Sequence, residues 1–319
     1  MSYNLSEKTL LVGAGSMALE YSKVLQALEV PFTVLGRGKQ SAKRFFEETR
    51  IPVLIGDLEN NLSNIKSYNK AIVTVNVEQL LPLTLKLLKN GYKNILVEKP
   101  AGLNLEEIRL LVEESEKQQA EIYVAYNRRF YSSVIEARKI IEKDGGVSSF
   151  NFEFTEWSHV IEKLDKPKEV LQQWFLANST HVIDLAFYLG GYPKQIECFT
   201  TGGTDWHPKA SIYSGAGITE TDALFSYQAN WQAPGRWGVE ILTKSHRLIF
   251  RPLEQLHIQK IGEVKIEKIE INDDQDHKYK PGLFKQTEEF LLGNKVDLLD
   301  ISSHYKICKE IFSKINNGV

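Results

Sequence analysis

The stretch Lys8-Thr-Leu-Leu-Val-Gly-Ala-Gly-Ser-Met-Ala18 decides the fold, because it joins an apolar run to a glycine turn and then to a helix pattern. The run at 9–12 predicts a buried strand, and the pattern at 17–28 predicts a helix. Gly13 permits the tight turn, and Gly15 lets the backbone approach an anion without a Cβ in the way. Because amides at a helix start attract phosphate, the stretch predicts a site for a dinucleotide pyrophosphate.

The same alternation of strands and helices continues to about residue 125. Further apolar runs predict strands at 32–35, 53–55, 71–75, 94–97 and 121–125. Helix patterns lie between them, at 41–49, 79–89 and 105–118. Alternation of this kind predicts a doubly wound parallel sheet, whose ligands bind at the carboxyl ends of the strands. Five residues of interest fall at such ends: Gly13, Arg37, Asn76, Lys99 and Asn127.

The second half of the chain has a different pattern. Strands are predicted at 149–157, 195–201, 223–231, 237–243, 247–250, 255–259 and 263–271. Helices are predicted at 132–143, 179–189, 284–292 and 302–315. Many strands with few helices between them favour one large open, mainly antiparallel sheet. We therefore expect an α/β chain with a first domain at 1–125 and a second at 126–319, whose C-terminal helices could pack back on the first.

Composition limits the classes of function. The chain has 319 residues, 42% of them apolar, and a formal net charge of −2. Such a charge argues against a nucleic-acid or membrane-surface partner. No apolar stretch reaches the length of about 20 residues that a membrane span needs, and no apolar run of a signal peptide precedes the first strand. Cys198 and Cys308 match no metal spacing and are interpreted as reduced thiols of a cytoplasmic protein.

Four motifs in this order resemble the Gfo/Idh/MocA family (glucose-fructose oxidoreductase / inositol dehydrogenase) of NAD(P)-dependent sugar oxidoreductases. They are Gly13-Ala-Gly-Ser-Met-Ala18, Glu98-Lys-Pro100, Asn127-Arg-Arg-Phe130 and His181-Val-Ile-Asp184. The resemblance implies a Rossmann domain followed by an α/β domain with an open sheet. It also implies a homodimer or homotetramer formed through the free face of that sheet, and a small-molecule carbohydrate substrate.

Lys99 and His181 are the candidate catalytic residues. Lys99 follows a strand that should end beside the nicotinamide, where an ammonium can polarise a hydroxyl or carbonyl. The alternative is a surface lysine paired with Glu98. His181 is predicted in the first turn of its helix, capped by Asn178 or Ser179, where the positive helix end would lower its pKa. The alternative is a structural histidine bonded to Asp184, and Asp184 itself is interpreted as structural.

The cofactor is expected to contact residues at the ends of four strands. The predicted set is Gly13, Gly15, Ser16, Met17, Arg37, Lys39, Ser41, Thr74, Asn76, Glu98 and Lys99. No acidic residue follows the second strand, where Asp or Glu would bind the ribose hydroxyls of NAD. Arg37 instead offers a planar fork for a 2′-phosphate. The sequence therefore favours NADP, and NAD stays as the alternative, with Arg37 covering the adenine.

The substrate is expected to contact Asn127, Arg128, Trp157, Asn178 and His181. Either Arg128 or Arg129 could hold an anionic substrate group or pair with an internal carboxylate. A long charged loop at 159–173 could close over the ligand. The family commonly has an aspartate four residues before the histidine. That position is Ala177 here, which leaves Lys99 and His181 to share proton transfer.

The predicted function is hydride transfer between a nicotinamide cofactor and a carbohydrate, with a nucleotide sugar or sugar acid as possible substrates and no metal. Two alternatives stay open. One is a redox-neutral, NAD-dependent glycosidase-like enzyme. The other is a non-catalytic protein that binds NADP(H) or a sugar, and the missing carboxylate at Ala177 motivates it.

Overall fold

Two units make up the structure, a computed structural model that describes residues 7–65 and 68–318. The first unit contains the chain up to Asn127 together with Gln275–Tyr305. The second contains Arg128–Asp274 and the chain from Lys306 onward. The segment Gln275–Tyr305 therefore clusters with the N-terminal part of the chain, although almost 150 residues separate them in sequence.

The strands, in chain order, are β1 (Thr9–Val12), β2 (Phe32–Gly36), β3 (Val53–Ile55), β4 (Lys70–Val73), β5 (Asn94–Glu98), β6 (Glu121–Ala125), β7 (Ser149–Glu153), β8 (Pro193–Thr201), β9 (Ile212–Thr219), β10 (Leu224–Asn230), β11 (Gly238–Leu242), β12 (His246–Phe250), β13 (His257–Lys260), β14 (Glu267–Lys268) and β15 (Leu299–Asp300).

The α-helices are α1 (Ser16–Ala27), α2 (Lys39–Thr49), α3 (Leu62–Ile65), α4 (Val77–Lys89), α5 (Leu105–Gln118), α6 (Ser132–Lys143), α7 (Ser158–Ile161), α8 (Lys168–Gln172), α9 (Thr180–Gly190), α10 (Asp274–Lys278), α11 (Leu283–Leu292), α12 (Ile301–Ile307) and α13 (Ser313–Asn317). Single turns of 3-10 helix lie at Glu59–Asn61 and Asn127–Phe130, and π-helical turns at Phe175–Ser179 and Cys308–Phe312.

The sheet of the first unit has the strand order β15-β6-β5-β4-β1-β2-β3. All neighbours in it run parallel except β15, which is antiparallel to β6. Strands β1, β4 and β5 are buried almost throughout, as expected for a parallel sheet covered on both faces. The predicted doubly wound sheet is confirmed, with the order 3-2-1-4-5-6 that places ligands at the carboxyl ends of β1 and β4.

The sheet of the second unit has the strand order β14-β13-β12-β11-β7-β10-β9-β8. Its pairs are antiparallel except β7 with β10. Alternate residues of β7, Phe150 and Phe152, are buried and pack edge-on against Phe187 of α9. A mainly antiparallel second sheet is therefore confirmed, and its core is an aromatic layer beneath α9.

Strand β9 was missed by the sequence pattern, because it contains glycines where strands usually have branched side chains. Its Gly215 and Gly217 leave room for the rings of Tyr227 and Phe225. A Cβ at either glycine would lie 2.5 Å from the nearest ring carbon of the facing side chain. The low strand propensity of β9 is thus compensated by packing in the folded chain.

Four predicted segments differ from the structure in extent or type. The strand expected at 149–157 ends at Glu153, because the Thr155 hydroxyl, not a backbone carbonyl, accepts the Asn230 amide proton. Trp157 therefore lies beyond the strand. Of the strand expected at 263–271, only Glu267–Lys268 pairs, at an exposed sheet edge. The charged loop expected at 159–173 contains α7 and α8, and the helix expected at 302–315 is interrupted by the π-helical turn Cys308–Phe312.

Both cysteines are buried and free of disulfide bonds. Within the described part of the chain, no helix has the length and apolar character to cross a membrane.

Candidate active site

The glycine turn after β1 has the geometry that the motif predicts. Gly13 has φ of +122°, and a Cβ there would lie 2.5 Å from Thr74 Oγ1. Its amide donates to the Leu35 carbonyl at 2.8 Å, which holds the turn against β2. Gly15 is the N-cap of α1, and its missing Cβ faces open space. No side chain of the described residues caps α1, so its first amides point into that space and suit a phosphate.

A cleft of about 430 Å³ opens over this turn. Of the predicted cofactor residues, those that line it are Gly13, Gly15, Arg37, Ser41, Thr74 and Asn76. Ser16 lines an adjoining cleft of about 550 Å³ with Gln40 and Arg44. Because these residues come from the ends of three neighbouring strands, the cleft fits a dinucleotide at the carboxyl edge of the sheet.

The turn after β2 is open and basic. Arg37 and Lys39 are both exposed, and Gly36 is a glycine because a Cβ there would lie 3.0 Å from the Ala14 Cβ. The Ser41 hydroxyl donates to the Gly38 carbonyl at 3.0 Å, inside the first turn of α2. Asp57, after β3, also lines the cleft and was not singled out from the sequence.

The turn after β4 holds one predicted residue tightly and leaves the other at the surface. The Thr74 hydroxyl donates to the Val12 carbonyl at 3.0 Å, and Thr74 is buried. It therefore joins β4 to the glycine turn. Asn76 is the N-cap of α4, lines the cleft and forms no side-chain cap.

The Glu98-Lys99-Pro100 motif lies at the carboxyl end of β5, as predicted, with a cis Lys99–Pro100 peptide bond. The Tyr21 hydroxyl of α1 donates to Glu98 Oε1 at 3.1 Å. Burial raises the pKa of Glu98, while the positive charges of Lys99 and Lys280 oppose that rise. His304 Nε2 lies 3.0 Å from the Pro100 carbonyl oxygen. The motif is therefore supported on both sides by residues distant in sequence.

Asn127 is buried at the end of β6, and its Nδ2 donates to the Pro281 carbonyl at 2.8 Å. This bond joins the strand end to the segment that returns to the first unit. The amide nitrogen of Asn127 is therefore already engaged within the unit.

In the second unit, His181 is buried near the start of α9. Ser179 occupies the N-cap position of α9, as one of the two predicted candidates, but the side-chain cap expected there is missing. Neither Asn178 nor Ser179 makes a cap bond, because the π-helical turn Phe175–Ser179 continues into α9 and both side chains bond to Glu156 instead. His181 thus does not lie at the free positive end of a helix, and the argument for its pKa from the helix dipole does not hold.

Arg129 and Asp184 form a buried ion pair. Arg129 Nε donates to Asp184 Oδ2 at 2.8 Å and Nη2 donates to Oδ1 at 2.5 Å. The Arg129 guanidinium also lies 4.7 Å from the ring centre of Tyr188. A bidentate pair of this kind is structural, so Asp184 has the structural role that was expected and Arg129 is the arginine paired inside the unit.

A buried carboxylate, Glu156, lies close to the position where the family aspartate is missing. Its Oε1 accepts from Ser179 Oγ at 2.7 Å and from Asn178 Nδ2 at 3.0 Å, and its Oε2 accepts from the same amide at 3.1 Å. Burial raises the pKa of Glu156 in spite of these bonds and the nearby Arg236. Asn178 is therefore held in a fixed orientation by Glu156.

Arg128 and Trp157 lie in one cluster with two residues not predicted from the sequence, Arg236 and Trp237. The Arg128 and Arg236 guanidinium carbons each lie 4.8 Å from the centre of the Trp237 ring. Arg236 also lies 4.6 Å from the Trp157 ring, whose Nε1 donates to the Gly235 carbonyl at 2.9 Å. The rings of His181 and Trp237 are 6.2 Å apart.

Sequence reasoning missed the residues that support the predicted ones from a distance: Tyr21, Glu156, Arg236, Trp237 and His304. One signal was present for Glu156, since a glutamate within the apolar run at 149–157 is unusual for a buried strand end. The others lie in segments whose patterns are those of ordinary helices and strand ends.

Comparisons with known proteins support the first unit directly. Residues 8–126 match the sequence profile of the Gfo/Idh/MocA family, which is described as an oxidoreductase family with an NAD-binding Rossmann fold. A comparison of the sequence with curated proteins found no match.

Solved structures share the fold of nearly the whole chain at low identity. UDP-N-acetylglucosamine 3-dehydrogenase GnnA from Acidithiobacillus ferrooxidans is 14% identical, with a TM-score of 0.76, over 98% of this chain and 97% of that one. Levoglucosan dehydrogenase in complex with NADH is 14% identical, with a TM-score of 0.77, over 98% and 96%. The WlbA dehydrogenase from Chromobacterium violaceum, in complex with NADH and UDP-GlcNAcA, is 13% identical, with a TM-score of 0.74, over 99% and 94%.

These likenesses extend the shared fold beyond the segment that the profile matches. The resemblance noted from the sequence is supported over residues 8–126 by the match to the Gfo/Idh/MocA family, and the solved structures share the fold of nearly the whole chain.

Proposed function

We propose that the chain is a nicotinamide-dependent oxidoreductase that transfers a hydride between the cofactor and a carbohydrate carbon bearing a hydroxyl or carbonyl group. The observation that carries the proposal is the glycine turn and the Glu98-Lys99-Pro100 motif at one edge of one parallel sheet. Carbohydrate as the substrate class is taken from the fold relatives, which include dehydrogenases of a nucleotide sugar and of levoglucosan.

The first unit fits a dinucleotide on its own geometry. Gly13 has a backbone that only glycine adopts without strain, Gly15 faces open space, and the uncapped amides of α1 point into the same cleft. When bound, the nicotinamide supplies the hydride acceptor or donor. We assign Gly13, Gly15, Ser16 and Met17 to the pyrophosphate and Asn76 to the adjoining ribose.

Lys99 and His181 are proposed to handle the proton of the reacting hydroxyl. An ammonium stabilises alkoxide character as hydride leaves or arrives, and an imidazole can accept or return the proton near neutral pH. Lys99 is held by the strand end and by Pro100, whose carbonyl is bonded to His304. His181 is held in the first turn of α9, which Arg129 and Asp184 anchor to the second unit.

Glu156 is proposed to act as a positioning residue in place of the carboxylate that is missing at Ala177. It holds the Asn178 amide nitrogen through both of its oxygens, which leaves the Asn178 oxygen to accept a hydrogen bond from a substrate hydroxyl. We also assign Asn127 and Trp157 to the wall of the substrate site.

NADP is proposed as the preferred cofactor, with NAD as the alternative. Arg37 is exposed, lines the cleft and has no acidic residue beside it in the turn after β2. A guanidinium there suits a 2′-phosphate, and Lys39 and Ser41 could add contacts. The family is described as NAD-binding, so Arg37 is the residue that would give this chain a different preference, for NADP.

The test is oxidation of a panel of neutral and acidic sugars and nucleotide sugars, followed through the absorbance of the reduced nicotinamide. Lys99→Met should lower kcat by about 100- to 10,000-fold, because it removes the ammonium that stabilises alkoxide character at the reacting carbon. Lys89→Met is the matched control, because Lys89 is an exposed lysine in the last turn of α4. Wild-type turnover in the Lys99→Met variant would contradict the catalytic assignment.

The same assay separates the alternatives. A redox-neutral glycosidase-like enzyme would release a sugar with no net change in reduced nicotinamide. A non-catalytic binding protein would bind cofactor and turn over no member of the panel.

Assembly through the open sheet and a cytoplasmic location are also proposed. The exposed face of β8, β9 and β10 carries Phe199, 69% exposed, and Leu224, 61% exposed. Apolar side chains of this size at a sheet surface favour contact with a second copy. Phe199→Lys with Leu224→Lys should shift the mass measured by light scattering from oligomer to monomer, and a monomeric wild type would contradict the proposal.

A further inference from the structure

Two arginines of the second unit share one aromatic ring. The guanidinium carbons of Arg128 and Arg236 each lie 4.8 Å from the centre of the Trp237 ring, so they are no more than twice that distance apart. Arg236 lies at a similar distance, 4.6 Å, from the Trp157 ring. Both guanidinium groups thus lie within cation–π distance of an indole ring, a contact that uses none of their N–H donors.

Neither arginine has a carboxylate as a partner. Within residues 7–65 and 68–318, no ion pair or hydrogen bond uses either guanidinium, and Arg128 Nε is a buried donor with no acceptor. The next residue, Arg129, shows the contrast, since it is paired through two hydrogen bonds with Asp184. Burial lowers the pKa of Arg128, as does the like charge of Arg236. A desolvated cation with unused donors is costly unless an acceptor comes from outside.

The carboxylates nearby do not supply that acceptor. Glu156 and Glu254 are the acidic groups whose negative charges raise the pKa of Arg128. Glu156 already accepts three hydrogen bonds from Ser179 and Asn178. Glu254 is exposed to solvent, and it makes no ion pair with Arg128 among the described residues. Among the described residues, the Arg128 guanidinium is therefore left without a carboxylate partner.

We propose that Arg128 and Arg236, on the Trp237 ring, form a subsite for an anionic group of the substrate, either a carboxylate or a phosphate. Both groups present paired oxygens that match the fork of a guanidinium. The exposed Trp157 ring adds an apolar face for the adjoining part of the sugar. The proposal rests on the proposed function and narrows its substrate from carbohydrates in general to acidic sugars or sugar phosphates.

The experiment measures binding by calorimetry in matched pairs of ligands, with the cofactor present. The pairs are D-glucuronate or D-glucose 6-phosphate against D-glucose, and UDP-glucuronate against UDP-glucose. Wild-type protein should bind the acidic member of at least one pair about 10- to 100-fold more tightly. The carboxylate and phosphate arms show which anion the subsite takes.

Arg128→Gln and Arg236→Gln should each remove most of that preference and leave the affinity for the neutral member unchanged. Arg128→Lys, which keeps the charge but not the fork, should retain part of it, so it separates loss of the subsite from loss of folding. Arg247→Gln is the control, because Arg247 is an arginine of the same sheet paired with Glu240 at the surface.

Three results would overturn the proposal: equal or tighter binding of the neutral member, an equal loss for both members in the glutamine variants, or wild-type binding of no acidic member. Since calorimetry does not require turnover, an anion preference without reduced nicotinamide would retain the subsite and reject the oxidoreductase. Turnover of neutral sugars with no anion preference would retain the oxidoreductase and reject the subsite.

Discussion

The candidate sites of the two units differ in the chemical groups that form them. The first unit uses backbone: a glycine turn at positive φ, the uncapped amides of α1 and the open turn after β2. The second unit uses ionisable side chains that are buried, above all Arg129 with Asp184 and Glu156 with Asn178 and Ser179. Backbone geometry depends on a few consecutive residues, whereas a buried charge depends on partners that the fold brings from elsewhere.

This difference has an energetic consequence. A glycine turn adds little to the free energy of folding. Substitution of its glycine therefore affects mainly ligand binding and local backbone strain. A buried charge is desolvated in every folded molecule, so loss of its partner affects the whole unit. Substitutions in the second unit should therefore change stability more than equivalent substitutions in the first.

The largest effect is expected from Asp184→Asn, which leaves the Arg129 guanidinium buried without its counter-charge. We expect a loss of about 3–5 kcal/mol in the free energy of unfolding, measured by urea denaturation. Glu240→Gln breaks the exposed pair with Arg247 and should cost no more than about 1 kcal/mol. If the two variants lose equal stability, buried charge does not distinguish the second unit.

Gly13→Ala should have the next largest effect. Its φ of +122° and the 2.5 Å approach of a Cβ to Thr74 Oγ1 predict a loss of about 1–3 kcal/mol together with loss of cofactor binding. Gly15→Ala is the matched control, since its Cβ would meet open space. Thermal melting should be unchanged in that variant while cofactor affinity falls, and equal melting temperatures for both variants would contradict the assigned geometry.

Arg37→Gln tests the proposed preference for NADP, which rests on one exposed side chain of the first unit. The dissociation constant for NADP should rise about 10- to 100-fold, because one charge-assisted contact with the 2′-phosphate is lost. The affinity for NAD should stay the same, and Arg109→Gln on the surface of α5 should change neither. Equal or stronger binding of NAD by the wild type would show that Arg37 serves only to cover the adenine.

The smallest effect is expected in the pH dependence of stability around Glu156. Burial raises the pKa of Glu156 above its unfolded value, so the folded state holds this proton more tightly than the unfolded chain. Its contribution to stability is therefore present below the unfolded pKa and is lost as pH rises through the folded pKa. Urea denaturation of the wild type and of Glu156→Gln, compared from pH 4 to pH 8, should show the wild type losing stability relative to the variant. Parallel curves would mean that the pKa of Glu156 is not raised.

The first unit was largely predictable because its signals are local. Helix α5 and strand β6 were predicted with the observed bounds, and Gly13, Arg37 and Lys99 lie at strand ends as expected. Buried parallel strands are continuous apolar runs, and each is followed within a few residues by the turn that a ligand uses.

The second unit was predicted less well because its signals are not local. Strand β9 contains two glycines that leave room for the side chains of Tyr227 and Phe225, and this packing is known only from the folded structure. Ser179 takes the predicted N-cap position of α9, but its side chain and that of Asn178 bond to Glu156, which lies more than 20 residues earlier in the chain, instead of capping the helix.

The sequence by itself determined the strand, turn and helix that can hold a dinucleotide, because the steric needs of Gly13 and Gly15 and the period of the apolar residues lie within one short segment. Only the tertiary structure decided which arginine is paired with a carboxylate and which lies against an aromatic ring. Arg128 and Arg129 are adjacent and chemically identical, and they differ because the fold places Asp184 against one and the Trp237 ring against the other. The partner of a charged side chain is a property of three-dimensional packing, and no local pattern in the sequence specifies it.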